Sequence, residues 1–189
     1  MVFHISKFSR KICTSFSQTA LFFLLLFASS SAMADELTAV KIDASQAVIY
    51  CDVKPTVDVK RLITALNDGS PITFTWDITI SEVRDYWLNK DIGNIQFYRL
   101  AMPDLVSHQW RLKDSNSGIN RNAPSKQRAI AFLAQLKHFP IIDKSLLEPQ
   151  KTYKINVRLH IEEGTTSDDW LNNILRFGKT VAIGTFTLP

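Results

Sequence analysis

Between Pro71 and Val83 the chain alternates strictly, with Ile72, Phe74, Trp76, Ile78 and Ile80 separated by Thr73, Thr75, Asp77, Thr79 and Ser81. A period of two places the two sets on opposite faces of a strand, so the segment predicts one buried and one wet face, as in an antiparallel sheet. Thr152 to Glu162 repeats the pattern: Tyr153, Ile155, Val157, Leu159 and Ile161 are expected to face inward, and Lys154, Asn156, Arg158, His160 and Glu162 outward. Ile95 to Met102 and Leu105 to Lys113 predict a hairpin or a strand bent at Pro103. Leu37 to Ile42 and Ala47 to Val53 predict a hairpin turning at Asp43-Ala44-Ser45-Gln46, and Thr180 to Leu188 a last strand. On the second arm of that hairpin Ala47, Ile49, Cys51 and Val53 share a face, which points Cys51 at the core.

Two segments switch to the helical period. Val59, Leu62, Ile63 and Leu66 make one apolar stripe, ended by Asn67-Asp68-Gly69 with Gly69 free to take the left-handed conformation. Ala129, Phe132, Leu133 and Leu136 make a second stripe, with Ser125 as N-cap and Lys137-His138-Phe139-Pro140 as the stop. Lys113 to Ser125 and Glu162 to Asp169 are polar and read as loops. Strands come in runs, not in alternation with helices. The fold expected is therefore α+β, mostly antiparallel and sandwich-like, with about seven strands and two short helices packed on the sheets.

Residues 1–34 differ in kind from the rest of the chain. Lys7, Arg10 and Lys11 precede the apolar run Ala20 to Ala28, and Ala32-Met33-Ala34 supplies the small residues of a cleavage site. These are the three parts of a secretory signal peptide, cleaved before Asp35, with residues 35–189 left as one mostly-β domain in the periplasm. The apolar run is far below the roughly 20 residues a membrane-crossing helix needs. Cleavage removes Cys13 and leaves Cys51 alone, so no disulfide within the mature chain is expected. It also removes three basic and no acidic residues, which takes the net charge from +4 to +1. With basic residues scattered among acidic ones, a nucleic-acid partner is not expected.

Catalytic patterns are sparse. The mature segment holds His108, His138 and His160, none spaced as a metal-ligand pair, so neither a metal nor another cofactor is expected. His108, near Val106, Trp110 and Leu112, reads as a core histidine, and His138 as a helix-end residue favoured by the dipole. No G-x-S-x-G elbow is present, and the six glycines never fall in a phosphate-loop spacing. His160 and Glu162 share a strand face and could hold a cation or serve a hydrolase assembled only in three dimensions. A solvated face is the commoner fate of such a pair.

The remaining signal is aromatic. Arg84, Tyr86 and Trp87 follow the long alternating strand, and Trp170 and Leu171 lie in a polar stretch. Such residues at strand ends and in loops form either a partner-binding surface or plugs for the open ends of a sandwich. Leu171, Ile174 and Leu175 would share one side of a short helix over Asp168 to Phe177, where a membrane or partner contact competes with core packing.

Ala65-Leu66-Asn67-Asp68-Gly69-Ser70-Pro71-Ile72-Thr73-Phe74 resembles the "AL-x-x-G-x-P-hydrophobic" segment of a bacterial family of exported proteins, domain of unknown function 4390. Arg84-Asp85-Tyr86-Trp87 resembles its arginine-and-tryptophan segment. Tyr98-Arg99-Leu100, Ala129 to Leu136, and Tyr153 to Leu159 follow in matching order. The resemblance implies an exported protein without an assigned activity. It also implies an envelope partner, since members are often encoded beside a membrane sensor histidine kinase. Together these readings lead to the expectation of a non-catalytic binding or adaptor module, with the three-dimensional hydrolase as the alternative.

Overall fold

The alternation of Ile72–Glu82 is realised as a central strand, hydrogen-bonded on both edges and buried along its apolar face. A computed structural model describes residues 38–164 and 179–189 of the chain. The expected signal at residues 1–34, the helix over 168–177, and with it Trp170 and Leu171, lie outside the described residues.

The strands are β1 (Thr38–Ala39), β2 (Lys41–Asp43), β3 (Val48–Val53), β4 (Ile72–Glu82), β5 (Lys90–Asp104), β6 (Gln109–Asp114), β7 (Asn120–Ala123), β8 (Leu136–Asp143), β9 (Thr152–Glu163) and β10 (Lys179–Thr187). The helices are α1 (Val59–Asn67) and α2 (Lys126–Ala134), and Lys144–Leu146 makes a 3-10 turn. A seven-stranded sheet runs β1-β10-β9-β4-β5-β6-β7, and a three-stranded sheet runs β2-β3-β8. β1 and β10 are parallel; the other pairings are antiparallel. The fold is thus α+β and mostly antiparallel as expected, with ten strands among the described residues.

The two sheets and both helices share one core. Phe74, Trp76, Ile78, Ile155 and Val157 of the larger sheet meet Cys51, Leu136, Phe139 and Ile141 of the smaller, while Leu62, Leu66, Ala129 and Leu133 bring in the helix stripes. A ring stack crosses between the sheets, Phe97 on Phe139 with centroids 4.8 Å apart. The chain passes from the larger to the smaller sheet at Val40, which lies against Gly184 of β10. A Cβ there would come within 2.8 Å of the Val40 Cβ, so the crossing needs a glycine. Each helix begins on the side chain of its cap: Asp58 accepts from the Arg61 amide at 3.1 Å, and Ser125 from the Arg128 amide at 3.3 Å. Gly69 takes φ +77 after α1, as its position predicts.

The structure departs from the expected elements in four places. α2 stops at Ala134, and Leu136 to Pro140 belongs to β8 instead of ending a helix. His138 is therefore no helix-end residue. It has φ 47, stacks on Tyr50 at 3.8 Å, and donates its amide to Asp52 Oδ1 at 2.6 Å, filling a bulge in the β3–β8 ladder. β7 forms inside the polar stretch read as loop, as an edge strand whose first three side chains are exposed. The strand expected over Leu105 to Lys113 begins only at Gln109. His108 is an exposed turn residue with φ 53, not a core histidine. At the end of β9 the expected faces reverse: Ile161 is exposed and Glu162 buried, with His160 Nε2 in a hydrogen bond to Glu162 Oε1 at 2.9 Å.

Cys51 is buried as its strand face predicts. Burial, with the neighbouring Asp52 charge, pushes its thiol from an ordinary 9.0 up to about 12. The folded chain holds this proton where the unfolded chain releases it, so the thiol costs stability as pH rises from 9.0 towards 12. At pH 8 the Cys51 peptide is expected to stay unlabelled by iodoacetamide in the folded protein and to label fully in urea, read by mass spectrometry. Native-state labelling would contradict this burial.

Candidate functional site

Trp87 occupies the loop between β4 and β5, and the sequence leaves it as either plug or platform. Tyr86 is 92%, Trp87 81% and Leu88 92% exposed, so the three side chains stand out from the end of the sheet without closing it. The base of the loop is tied down. Val83 donates its amide to the Thr152 carbonyl at 2.8 Å, and buried Glu82 takes Arg84 at 3.4 Å and Lys151 at 3.8 Å on the same oxygen. Both cations are well exposed, so these pairs orient the loop more than they stabilise the fold. Arg84 thus lies on Glu82 at the base of the loop, and Tyr86 and Trp87 stand exposed beyond it.

Sequence reasoning missed the rest of the apolar surface. Leu88 extends the loop. At the same end of the sheet Leu147 is buried against Tyr153, which leaves Leu146 before it exposed. At the other end of β5, the β5–β6 turn exposes Leu105 and Val106. This turn is shaped by Asp104, held below the usual carboxylate range by the amides of Val106 and Ser107.

A second feature had no sequence signal. A cavity of about 710 Å³ lies between the β6–β7 hairpin and the α2–β8 corner. Four basic residues line it, one each from β5, β7, α2 and β8: Arg99, Arg121, Arg128 and Lys137. Their separation along the chain makes them look scattered, and the fold collects them. Arg99 is spent on structure. Its Nε donates to Asp114 at 2.8 Å, and its Nη1 donates to the carbonyls of Phe132 at 2.8 Å and Gln135 at 2.7 Å, closing the C-terminal end of α2.

The His160–Glu162 pair is a base beside an orienting acid, and hydrolysis would further need a nucleophile in hydrogen-bond reach. The hydrogen bond the ring makes is with Glu162. Among the described residues no group of three or more His, Cys, Asp or Glu is gathered as a metal would require.

These features define an α+β, mostly antiparallel protein with an aromatic hairpin tip and a cationic cavity. The chain belongs to the family described as domain of unknown function DUF4390, whose pattern matches residues 33–176. No curated protein and no solved structure matches it.

Proposed function

We propose that this chain is an exported, non-catalytic binding or adaptor module of the bacterial envelope, and that the β4–β5 loop is the surface it offers to an envelope protein. The observation that carries this reading is the run Tyr86-Trp87-Leu88, exposed at the tip of a hairpin whose base is held by Glu82, Arg84 and Lys151. Three consecutive large apolar side chains in water are unfavourable unless something covers them. Tyr, Trp and Arg are the side chains that dominate binding energy in protein interfaces, and a loop fixed at its base loses less entropy on docking. The basic, apolar and small-residue segments of residues 1–34 support export. A membrane sensor kinase is the partner the family resemblance favours.

A photoreactive residue in place of Trp87, illuminated in living cells, is expected to capture one dominant envelope protein. Trp87→Ala should weaken that association by about 2–4 kcal/mol, the range of a strong interface anchor, with an unchanged melting curve. Capture of nothing, or unchanged association in the alanine variant, would remove the loop from the function.

A further inference from the structure

The cavity between the β6–β7 hairpin and the α2–β8 corner carries charge that the fold does not use. Arg99 and Asp114 satisfy each other, and Asp114 also accepts the amides of Asn116 at 2.9 Å and Ser117 at 3.2 Å. Asp114 is the carboxylate among the lining residues, so Arg121, Arg128 and Lys137 face the space with no acidic partner among the described residues. Three like charges around one cavity repel each other, and an anion between them relieves that repulsion.

The site is also shaped for the anion's attachment. The guanidinium of Arg121 lies 5.3 Å from the centroid of the Phe132 ring, and that of Arg99 lies 5.0 Å from the same centroid. Stacking holds the Arg121 head in place without consuming its N–H donors, which leaves a planar fork ready for a carboxylate or phosphate. Leu112, Ile119, Phe132 and Phe139 contribute apolar walls, which a bare inorganic ion could not use. A volume near 710 Å³ falls inside the span of about 300–1,000 Å³ typical of small-molecule sites.

We infer that this cavity binds a small organic anion, a phosphate or carboxylate head on an apolar body, with Arg121, Arg128 and Lys137 on the head. The inference is independent of the β4–β5 loop, since none of its residues lines the cavity. The head could belong to a soluble metabolite or to an anionic lipid, and the two are separable.

Isothermal titration of 1-naphthyl phosphate into the purified protein is expected to show saturable binding to one site per chain. Inorganic phosphate and 1-naphthol, each carrying half of the chemistry, should bind at least about tenfold more weakly. Arg121→Ala with Arg128→Ala should weaken 1-naphthyl phosphate by at least about tenfold, since each removes a charge-assisted contact. All three cations are solvent-exposed, so these variants should keep the wild-type melting curve. Were the pair to perturb folding, Lys137→Gln alone gives an independent reading, with a smaller loss expected. Competition by phosphatidylglycerol vesicles would assign the head to a lipid, and binding without such competition would assign it to a soluble anion. No saturable binding, or equal affinity in wild type and both variants, would overturn the inference.

Discussion

Trp76→Ala is expected to unfold this protein at temperatures where the wild type is folded. Trp76 is fully buried in β4, between β5 and β9, opposite Phe97 on one side and Leu159 on the other. Its ring lies 6.4 Å from Phe97, which in turn stacks on Phe139 of the smaller sheet, so it starts the aromatic path that joins the two layers. Truncating a buried Trp to alanine costs about 3–5 kcal/mol, through lost burial and the cavity left behind. Set against a total stability of about 5–15 kcal/mol, that loss is a substantial fraction. Urea denaturation followed by circular dichroism is the measurement. With a slope of about 1–3 kcal/mol per molar urea, the midpoint should fall by at least about 1 M. Trp76→Phe is the informative control. The indole Nε1 is buried without a partner, so phenylalanine keeps the stack while deleting an unsatisfied donor. Its midpoint should lie much nearer to wild type than that of the alanine variant. A wild-type midpoint for Trp76→Ala would mean that β4 is not the centre of the core.

The same strand shows why part of this fold is legible from sequence and part is not. β4 and β9 each bury one face against the core, and a half-buried strand writes its geometry into the sequence as alternation. Gly69 is legible because few residues tolerate φ +77 after a helix. β8 is illegible for a specific reason. The bulge at His138 adds a residue between Leu136 and Phe139, so two core side chains are three apart, which is the spacing of a helix. Coming directly after Leu133, that spacing extends the helical stripe of α2 by false continuity. β7 is silent because it is an edge strand burying only Ala123, with no second apolar position to set a period. Arg84, Tyr86 and Trp87 could be singled out by type and position, but exposure is a tertiary property and no single sequence contains it. The cationic cavity was hidden more deeply. Its members come from four elements, and only the packing of α2 and β8 against the larger sheet brings them together.

That packing rests on Arg99, and Arg99→Leu is expected to cost about 3–5 kcal/mol, the range for breaking a buried ion pair from one side. The Arg99 side chain is 13% exposed and that of Asp114 4%, so removing the guanidinium strands a carboxylate in a poorly hydrated place. It also deprives the Phe132 and Gln135 carbonyls of a shared donor where α2 gives way to β8. The damage should therefore have a local signature that Trp76→Ala lacks. Native-state hydrogen exchange at the Gln135 amide, which donates to the Ala131 carbonyl at 3.1 Å, should accelerate more than exchange in β4. The double variant Arg99→Leu, Asp114→Leu separates charge from packing. With both ions gone no buried charge is left unpaired, so its loss should be smaller than the sum of the two single losses by about 0.5–3 kcal/mol. Simple additivity would show that the two side chains act independently. Coupling would show that the wall of the cavity is assembled by an ion pair. In that case Arg121, Arg128 and Lys137 are held in position by a residue that need not touch what they bind.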